Sequence, residues 1–200
     1  MSDQAGGREP DDRTLIACAQ GGDLEAFDQL VRLHQQTVFA VALRMLGDRE
    51  EAQELSQDVF VRAYRGLRAF RREARLSTWL ISITMNLCRN RRRWWARRKR
   101  IIVASIDDPV ETDEEPLERQ VADPAPSPAA IAQRKELHQY LLQTLQLLRE
   151  EDRTVVILRD VQGYSYEEIA QVLGCRLGTV KSKLSRARAQ LRGLLDGKVL

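Results

Sequence analysis

Apolar residues in the first part of the chain return with helical spacing. Between Leu24 and Met45 they recur at steps of three, four and seven residues, which places them on one face of an α-helix. Gly47 follows and predicts the end of this helix. A shorter helix is expected over Asp12–Ala19, ended by Gly21-Gly22. The pattern therefore predicts two consecutive helices with apolar faces that can pack together.

Two further helices follow the same pattern. Asp48 stands three residues before Glu51, a capping-box-like start for the next helix. Ser77 is expected to cap another helix, which runs into a strongly basic segment. Alternation typical of strands is absent from the sequence over any useful length. Each of these helices carries a stripe of apolar residues, so the helices can share one core. The first stripe is Ala52, Leu55, Val59, Ala63 and Leu67, and the second is Trp79, Leu80, Ile83 and Leu87.

The segment 102–130 differs in kind, because it is rich in aspartate, glutamate and proline and poor in large apolar residues. Such a composition is typical of a linker without a core of its own. The overall charge of +3 hides this unevenness between an acidic middle and basic flanks. The chain is therefore expected to be all-α, with two small helical domains joined by a flexible acidic, proline-rich linker.

Four helices are predicted beyond the linker. The first spans Ile131–Leu148, and its leucines at 137, 141, 145 and 148 form one stripe. Arg153–Val161 follows, ended by a glycine at 163. Ser165 and Glu168 form a capping box that opens a helix over Tyr166–Leu173, and the last helix covers Leu177–Leu194.

The last two helices have the pattern of a helix-turn-helix. Ala170 lets the helices cross closely, Gly174 can adopt the positive φ of a tight turn, and Val180 anchors the second helix in the core. Val180, Leu184, Ala187 and Leu191 form the packing face. The opposite face carries hydroxyls and cations without a carboxylate, which favours DNA binding in the major groove over the other reading, a solvated helical hairpin. That face comprises Thr179, Lys181, Ser182, Lys183, Ser185, Arg186 and Arg188.

A second basic segment covers residues 89–100 and contains the pair Trp94-Trp95. Such a run binds polyphosphate, and its aromatics can stack on bases or pack against the domain. Just upstream, amides and guanidiniums share one helical face. The other reading is a solvated helix end that the helix dipole favours. The residues of that face are Asn86, Arg89, Asn90 and Arg93.

Composition argues against several classes of protein. The 200 residues contain only two histidines and three cysteines, which lie far apart in the sequence, so neither a zinc site nor a disulfide framework is expected. The three cysteines are expected to be small apolar groups that are buried or semi-buried. No phosphate-binding glycine loop or nucleophile–base motif is present, and no enzyme activity, metal or cofactor is predicted. The sequence also lacks a long apolar run and a signal-peptide pattern, so we expect a cytoplasmic protein.

Several of these motifs, in this order, resemble the extracytoplasmic-function (ECF) group of RNA polymerase sigma factors in the sigma-70 family. The resemblance covers nearly everything from Asp12 to Leu195. It is carried by Gly21-Gly22-Asp23 with Ala26-Phe27 and Leu30-Val31, by Gln57–Tyr64, by Phe70 with Ser77-Thr78-Trp79-Leu80, Ile83 and Asn86, by the acidic linker and by the terminal helix-turn-helix.

The resemblance implies a transcription initiation factor that binds polymerase core and promoter DNA and is controlled by an anti-sigma factor. Its domains would be 12–101 (docking, −10 recognition and melting) and 131–195 (−35 recognition), with 102–130 as linker. The residues that contact polymerase would be Asp48, Glu54, Gln57, Asp58, Phe60 and Arg62. The −10 element would be read by Phe70, Trp79, Asn86, Arg89, Asn90 and Arg93, and the −35 element by Arg176, Thr179, Lys181, Ser182, Lys183, Ser185 and Arg186.

A self-sufficient helix-turn-helix regulator is the rival interpretation. It would need a dimerisation surface and a sensor domain, and the sequence has no spare segment for either. Tight, specific binding to promoter duplex without polymerase would favour it.

Overall fold

The computed structural model describes residues 12–71, 74–102 and 128–196, and the part it describes is all-α, as predicted. The predicted linker lies outside these residues, apart from its two ends. The α-helices are α1 (Asp12–Gln20), α2 (Leu24–Leu46), α3 (Arg49–Gly66), α4 (Leu76–Ile102), α5 (Pro128–Gln146), α6 (Glu150–Val156), α7 (Tyr166–Leu173) and α8 (Leu177–Asp196). A 3-10 turn, Leu67–Ala69, follows α3, and a π-helical turn, Ile157–Val161, follows α6.

Helices α1 to α4 form the N-terminal half. Asp23 caps α2, and Asp48 caps α3 by accepting the Glu51 amide at 2.8 Å. Helix α4 begins at Leu76, so the expectation that Ser77 is its cap was wrong: Ser77 lies in the first turn. The predicted stripe of α3 and the 3-10 turn is buried in full: Ala52, Leu55, Val59, Ala63 and Leu67.

Helices α5 to α8 form the C-terminal half, and its helix-turn-helix is built as predicted. The Ser165 hydroxyl accepts the Glu168 amide, while the Glu168 carboxylate accepts the Ser165 amide at 2.8 Å. Gly174 ends α7 with φ +61°, a left-handed conformation that favours glycine. On α8, Val180, Leu184 and Ala187 are buried, which fixes the angle between the two helices.

The capping box gives a testable contribution to stability. Ser165→Ala removes the hydroxyl that accepts the Glu168 amide, and we expect the free energy of unfolding to fall by about 1 kcal/mol. Ser182→Ala, at an exposed serine within α8, is the matched control and should change it by less than about 0.5 kcal/mol. Urea denaturation followed by circular dichroism measures both. Equal effects of the two substitutions would contradict a capping role for Ser165.

The apolar face of α5 differs from the prediction. Leu137 and Leu141 are 57% and 42% exposed, whereas Leu142, outside the predicted stripe, is buried. The predicted stripe was therefore only partly right, with Leu145 half-buried and Leu148 buried. The reason is that α5 meets α8 along one side and the end of α2 along another, so its buried positions follow two neighbours.

The two halves pack against each other, which the helical pattern could not indicate. Arg153 of α6 is fully buried, and its Nη1 donates to the Met45 carbonyl at the end of α2, at 2.7 Å. The Gln146 side-chain amide donates to the carbonyl of Arg44 at 3.1 Å. Arg153 Nη2 also donates to the carbonyls of Gln146 at 2.7 Å and Leu148 at 3.1 Å. A buried guanidinium thus satisfies carbonyls from both halves.

Gly47 lies at this contact. It ends α2 with φ +78°, and a Cβ built on it would lie 2.9 Å from the Gln146 side chain. The close approach of the halves and the end of α2 therefore both depend on a residue without a side chain.

Candidate nucleic-acid interface and docking groove

Helix α8 presents most of the predicted −35 residues to solvent. Lys181 lies 5.9 Å from the centre of the Tyr166 ring, which holds its ammonium group near the start of α7. Thr179 and Lys183 are half-buried. The residues of the predicted set that remain exposed are Arg176, Lys181, Ser182, Ser185 and Arg186.

Although α8 carries no carboxylate on this face, α6 and the turn after it supply three. Lys183 pairs with Glu151, and Arg186 donates to both oxygens of Asp152, at 3.2 and 3.1 Å. Hydrogen bonding to Asp152 raises the pKa of Arg186. Because the Asp152 side chain is almost fully buried, it holds the guanidinium of Arg186 in one direction on an otherwise exposed surface.

The same arrangement recurs further along α8. Arg188 donates from Nε to Asp160 at 3.0 Å, and this hydrogen bond raises its pKa. Lysine and arginine side chains of α8 are thus partly neutralised along the edge facing α6. The part of the face available for base edges and phosphates is therefore narrower than the sequence indicates.

The segment proposed to contact the −10 element begins with two stacked aromatic rings. Phe70 and Trp79 lie 4.9 Å apart between ring centroids, with 30° between their planes. The Gln20 side chain donates to the carbonyls of Leu67 and Phe70, both at 2.9 Å, and so holds the start of the loop against α1. A Cβ on Gly66 would lie 3.2 Å from the Trp79 ring. Sequence reasoning missed Gln20, since nothing local links it to a loop about 50 residues away.

On α4, Asn86, Asn90 and Arg93 are exposed, while Arg89 is half-buried. The basic run, free of acidic residues in sequence, meets carboxylates from other helices. Arg89 lies 3.6 Å from Glu150. Helix α3 supplies the other carboxylates, to Arg91: Glu51, Glu54 and Asp58.

A large apolar groove lies between α2 and α3, with a volume of about 1070 Å³. Val61 is 49% exposed at its edge, and Phe27 and Tyr64 meet edge to face at 5.0 Å. Exposed apolar residues concentrated in one groove favour a protein partner. Its apolar lining consists of Leu24, Phe27, Val31, Phe39, Phe60, Val61 and Tyr64.

The predicted docking residues divide around this groove. Gln57 and Phe60 line it, whereas Glu54, Asp58 and Arg62 are exposed on α3. Asp48 serves as the cap of α3. Asp58 and Arg62 line a second, smaller groove of about 330 Å³ with Asn90, Arg91 and Trp94. Phe60 belongs to both the predicted docking set and the apolar lining, and Val61 and Tyr64 lie on the same helix. The apolar groove residues of α2 were not assigned to docking: Leu24, Phe27, Val31 and Phe39.

The cysteines show no shared site. Cys88 is buried, and burial raises the pKa of its thiol to about 12, so it stays protonated at neutral pH. Cys175 is half-buried, but Cys18 is exposed, contrary to the expectation of buried or semi-buried cysteines. Among the residues that the structure describes, no group of three potential metal ligands occurs. Within the same residues, none of the helices has the length and apolar character needed to cross a membrane.

Comparison with known proteins agrees with this geometry. The family model "Sigma-70 region 2" matches residues 30–100, and "Sigma-70, region 4" matches residues 138–191. RNA polymerase sigma-H factor of Pseudomonas aeruginosa is 36% identical over 88% of this chain and 90% of its own. ECF RNA polymerase sigma-E factor of Escherichia coli K12 is 31% identical, covering 94% of each chain.

Two solved structures share the fold. CnrH, in complex with the cytosolic domain of CnrY, has a TM-score of 0.66 and 29% identity, with 94% of this chain and 98% of that one covered. RpoE of Bartonella quintana, in complex with the anti-sigma factor NepR, has a TM-score of 0.67 and 26% identity, with 86% and 98% covered. The order of motifs, the fold and these relatives agree, and the chain belongs to the ECF group of the sigma-70 family of RNA polymerase sigma factors.

Proposed function

We propose that this sigma factor docks on RNA polymerase core through the α2–α3 groove and reads promoters through two separate DNA-binding faces. The observation that carries the proposal is one chain with an exposed apolar groove and two cationic faces, one in each half. Apolar residues at the groove provide the anchors that protein interfaces use. Gln57 and Phe60 act within it, and Glu54, Asp58 and Arg62 act beside it.

The −35 element is assigned to α8. Lys181, Ser182 and Ser185 have the length and hydrogen-bonding groups to reach base edges in the major groove. Arg186, oriented by Asp152, suits a phosphate contact because its direction is fixed and its guanidinium is exposed. Arg176, Thr179 and Lys183 flank these residues and complete the proposed site.

The −10 element is assigned to the loop after Phe70 and to α4. The Phe70–Trp79 stack supplies an aromatic surface beside which a base flipped from the non-template strand can be held. Asn86, Asn90 and Arg93 provide amides and a cation on the adjoining helix. Unstacking a base costs a few kcal/mol, and contacts with polymerase offset this cost in the complex.

Each face offers only a few phosphate and base contacts, which gives weak binding at physiological salt. Docking on polymerase raises the local concentration of both faces at the promoter, so selectivity arises in the complex. The protein catalyses no reaction itself. It acts in the cytoplasm, where polymerase and promoters are found. An anti-sigma factor controls it by competing for polymerase-docking surfaces, the arrangement suggested by relatives solved with CnrY and NepR.

Run-off transcription with polymerase core on a pool of promoter DNA tests the proposal. Adding the chain should produce discrete transcripts. Lys181→Glu and Asn86→Ala should each reduce them at least about 10-fold, the effect of losing a good base contact. Arg134→Glu, a charge reversal at an exposed position of α5, is the matched control and should leave the yield unchanged.

A different result would support the rival function. If the chain stimulates no transcript on any template but binds one duplex sharply by itself, it is a self-sufficient regulator. The salt dependence of that binding would then report the number of phosphates neutralised by α8.

A further inference from the structure

We infer that Gln20, the last residue of α1, is a positioning residue for the loop assigned to the −10 element, and that it thereby sets base selectivity. The inference deepens the proposed function and rests on it, because the loop concerned is the one that follows Phe70. Gln20 contacts no DNA in this assignment and acts through Phe70.

The Gln20 side chain closes the end of the 3-10 turn with both hydrogens of one amide group. Its Nε2 donates to the carbonyls of Leu67 and Phe70, each at 2.9 Å. Carbonyls at the end of a helical segment lack partners further along the helix, so a side-chain donor there fixes the conformation of the turn. The Phe70 carbonyl is the last one before the loop. The bond from Gln20 therefore fixes the direction in which the chain enters the loop.

Phe70 carries this constraint to the aromatic surface proposed to hold a flipped base. Its ring stacks on that of Trp79, with 4.9 Å between the ring centroids. Trp79 packs in turn against Gly66, where a Cβ would lie 3.2 Å from the ring. Both aromatic side chains are only half-buried, which leaves part of their surface accessible to a base. A displacement of Phe70 would therefore move the surface on which the base is held.

The backbone behind Gln20 is held by the corner between α1 and α2, which consists of Gly21, Gly22 and Asp23. The Asp23 amide donates to the Cys18 carbonyl at 3.1 Å, and Gly22 has φ +102°, a left-handed conformation that favours glycine. The Asp23 carboxylate accepts two amides at the start of α2. The corner thus fixes the point from which the Gln20 side chain extends. This gives the motif at residues 21–23 a role that neither docking nor DNA contacts supply.

Base selectivity depends on how accurately the reading groups are placed. Discrimination needs groups held within about 0.5 Å of the productive geometry by their neighbours. Without the two bonds from Gln20, Phe70 and the start of the loop would sample several positions. Contacts with the preferred base would weaken more than contacts with phosphates, which all sequences share. Loss of the Gln20 donor is therefore expected to lower selectivity more than docking.

Run-off transcription by polymerase core with the full chain, on matched templates, tests the inference. The templates derive from one promoter that the unsubstituted chain uses, with each of the four bases placed in turn at every −10 position. Gln20→Glu keeps the size of the side chain but replaces the donor with a carboxylate, which the two carbonyls repel. We expect the ratio of transcript between the best and the worst base to fall at least about 5-fold at one or more positions. The affinity for core enzyme should stay within about 2-fold.

Three further variants separate positioning from a general loss of stability. Gln20→Lys keeps a donor that reaches one atom further, and should retain the selectivity within about 2-fold. Gln29→Glu makes the same change at a half-buried glutamine of α2 that lines neither groove, and should have no effect. Gly22→Ala strains the corner through its positive φ although nothing lies within 4 Å of the new Cβ, and should lower the selectivity as Gln20→Glu does. Circular dichroism checks that every variant keeps its helices.

Proteolysis of the free chain provides a second, independent measurement. Trypsin cleaves after exposed arginines, and Arg71 and Arg75 lie at the two ends of the loop. Releasing the loop from α1 should raise the initial rate of cleavage after Arg71 at least about 5-fold in Gln20→Glu. Cleavage after the exposed Arg134 of α5 is the internal reference and should not change. Mass spectrometry of the fragments gives both rates.

An equal fall on all templates in Gln20→Glu would show that the two bonds only stabilise the fold, and would overturn the inference. An unchanged selectivity in a folded Gln20→Glu variant would overturn it as well, and so would an unchanged rate of cleavage after Arg71. Failure of the proposed function gives a different result. The unsubstituted chain would then stimulate no transcription on any template, whereas cleavage after Arg71 would still respond to Gln20→Glu.

Discussion

Val61→Asp is expected to weaken binding to RNA polymerase core at least about 30-fold while leaving the fold intact. Val61 is 49% exposed at the edge of the α2–α3 groove, so a carboxylate there remains solvated in the free chain. In the complex the same carboxylate would be buried against the partner without a cation, and burying an unpaired charge costs about 2 kcal/mol or more. Fluorescence anisotropy of labelled chain titrated with core enzyme measures the affinity.

Two variants serve as controls for this prediction. Val161→Asp makes the same change at a valine of nearly equal exposure, 46%, in the C-terminal half and away from the groove. Val61→Thr retains the shape of the side chain and should weaken binding only slightly. If Val61→Asp and Val161→Asp reduce the affinity equally, the groove is not the docking site.

Arg153→Met is expected to lower the free energy of unfolding by about 3 kcal/mol. The side chain is fully buried, and burial lowers the pKa of its guanidinium to about 10, which still leaves it protonated at neutral pH. Methionine fills much of the volume but leaves the carbonyls of Gln146 and Leu148 without this donor, and each buried unsatisfied group costs about 1–3 kcal/mol. Urea denaturation, with the slope of the transition compared, measures the change.

Arg134→Met provides the reference for that experiment, because Arg134 is exposed on α5. Its effect should stay within about 0.5 kcal/mol. An Arg153→Met variant as stable as this reference would mean that water satisfies the buried carbonyls as well as the guanidinium does. Arg153 would then contribute little to the stability of the contact between the two halves.

Local features of the fold were predictable because local physics determines them. The Ser165–Glu168 capping box and the glycine turn at 174 are fixed by neighbours three to nine residues away, and the α3 stripe follows from helical spacing. The predicted stripe of α5 was partly wrong because that helix packs against both α2 and α8. Leu142 is buried in the core, where Leu141 was expected. Periodicity identifies an apolar face, but it does not reveal how many partners share it.

The sequence predicted which cationic residues the candidate site contains, but not which carboxylates pair with them. Sequence showed a cationic face on α8 and a basic run on α4. It did not show that Asp152 orients Arg186 or that Glu150 faces Arg89, because these contacts join helices that are distant along the chain. The domain boundaries and the assigned DNA-binding residues remain predictions until variants are measured. The α2 side of the apolar groove was missed because the docking residues were assigned to α3 alone.

Gly47 links the end of α2 to the contact between the two halves. Its positive φ restricts the position to glycine or, less readily, asparagine, and its missing Cβ leaves room for Gln146. An asparagine could end α2 but would act as a wedge between the halves. A substitution at this one position is therefore expected to loosen the contact between the halves without altering either surface assigned to promoter DNA.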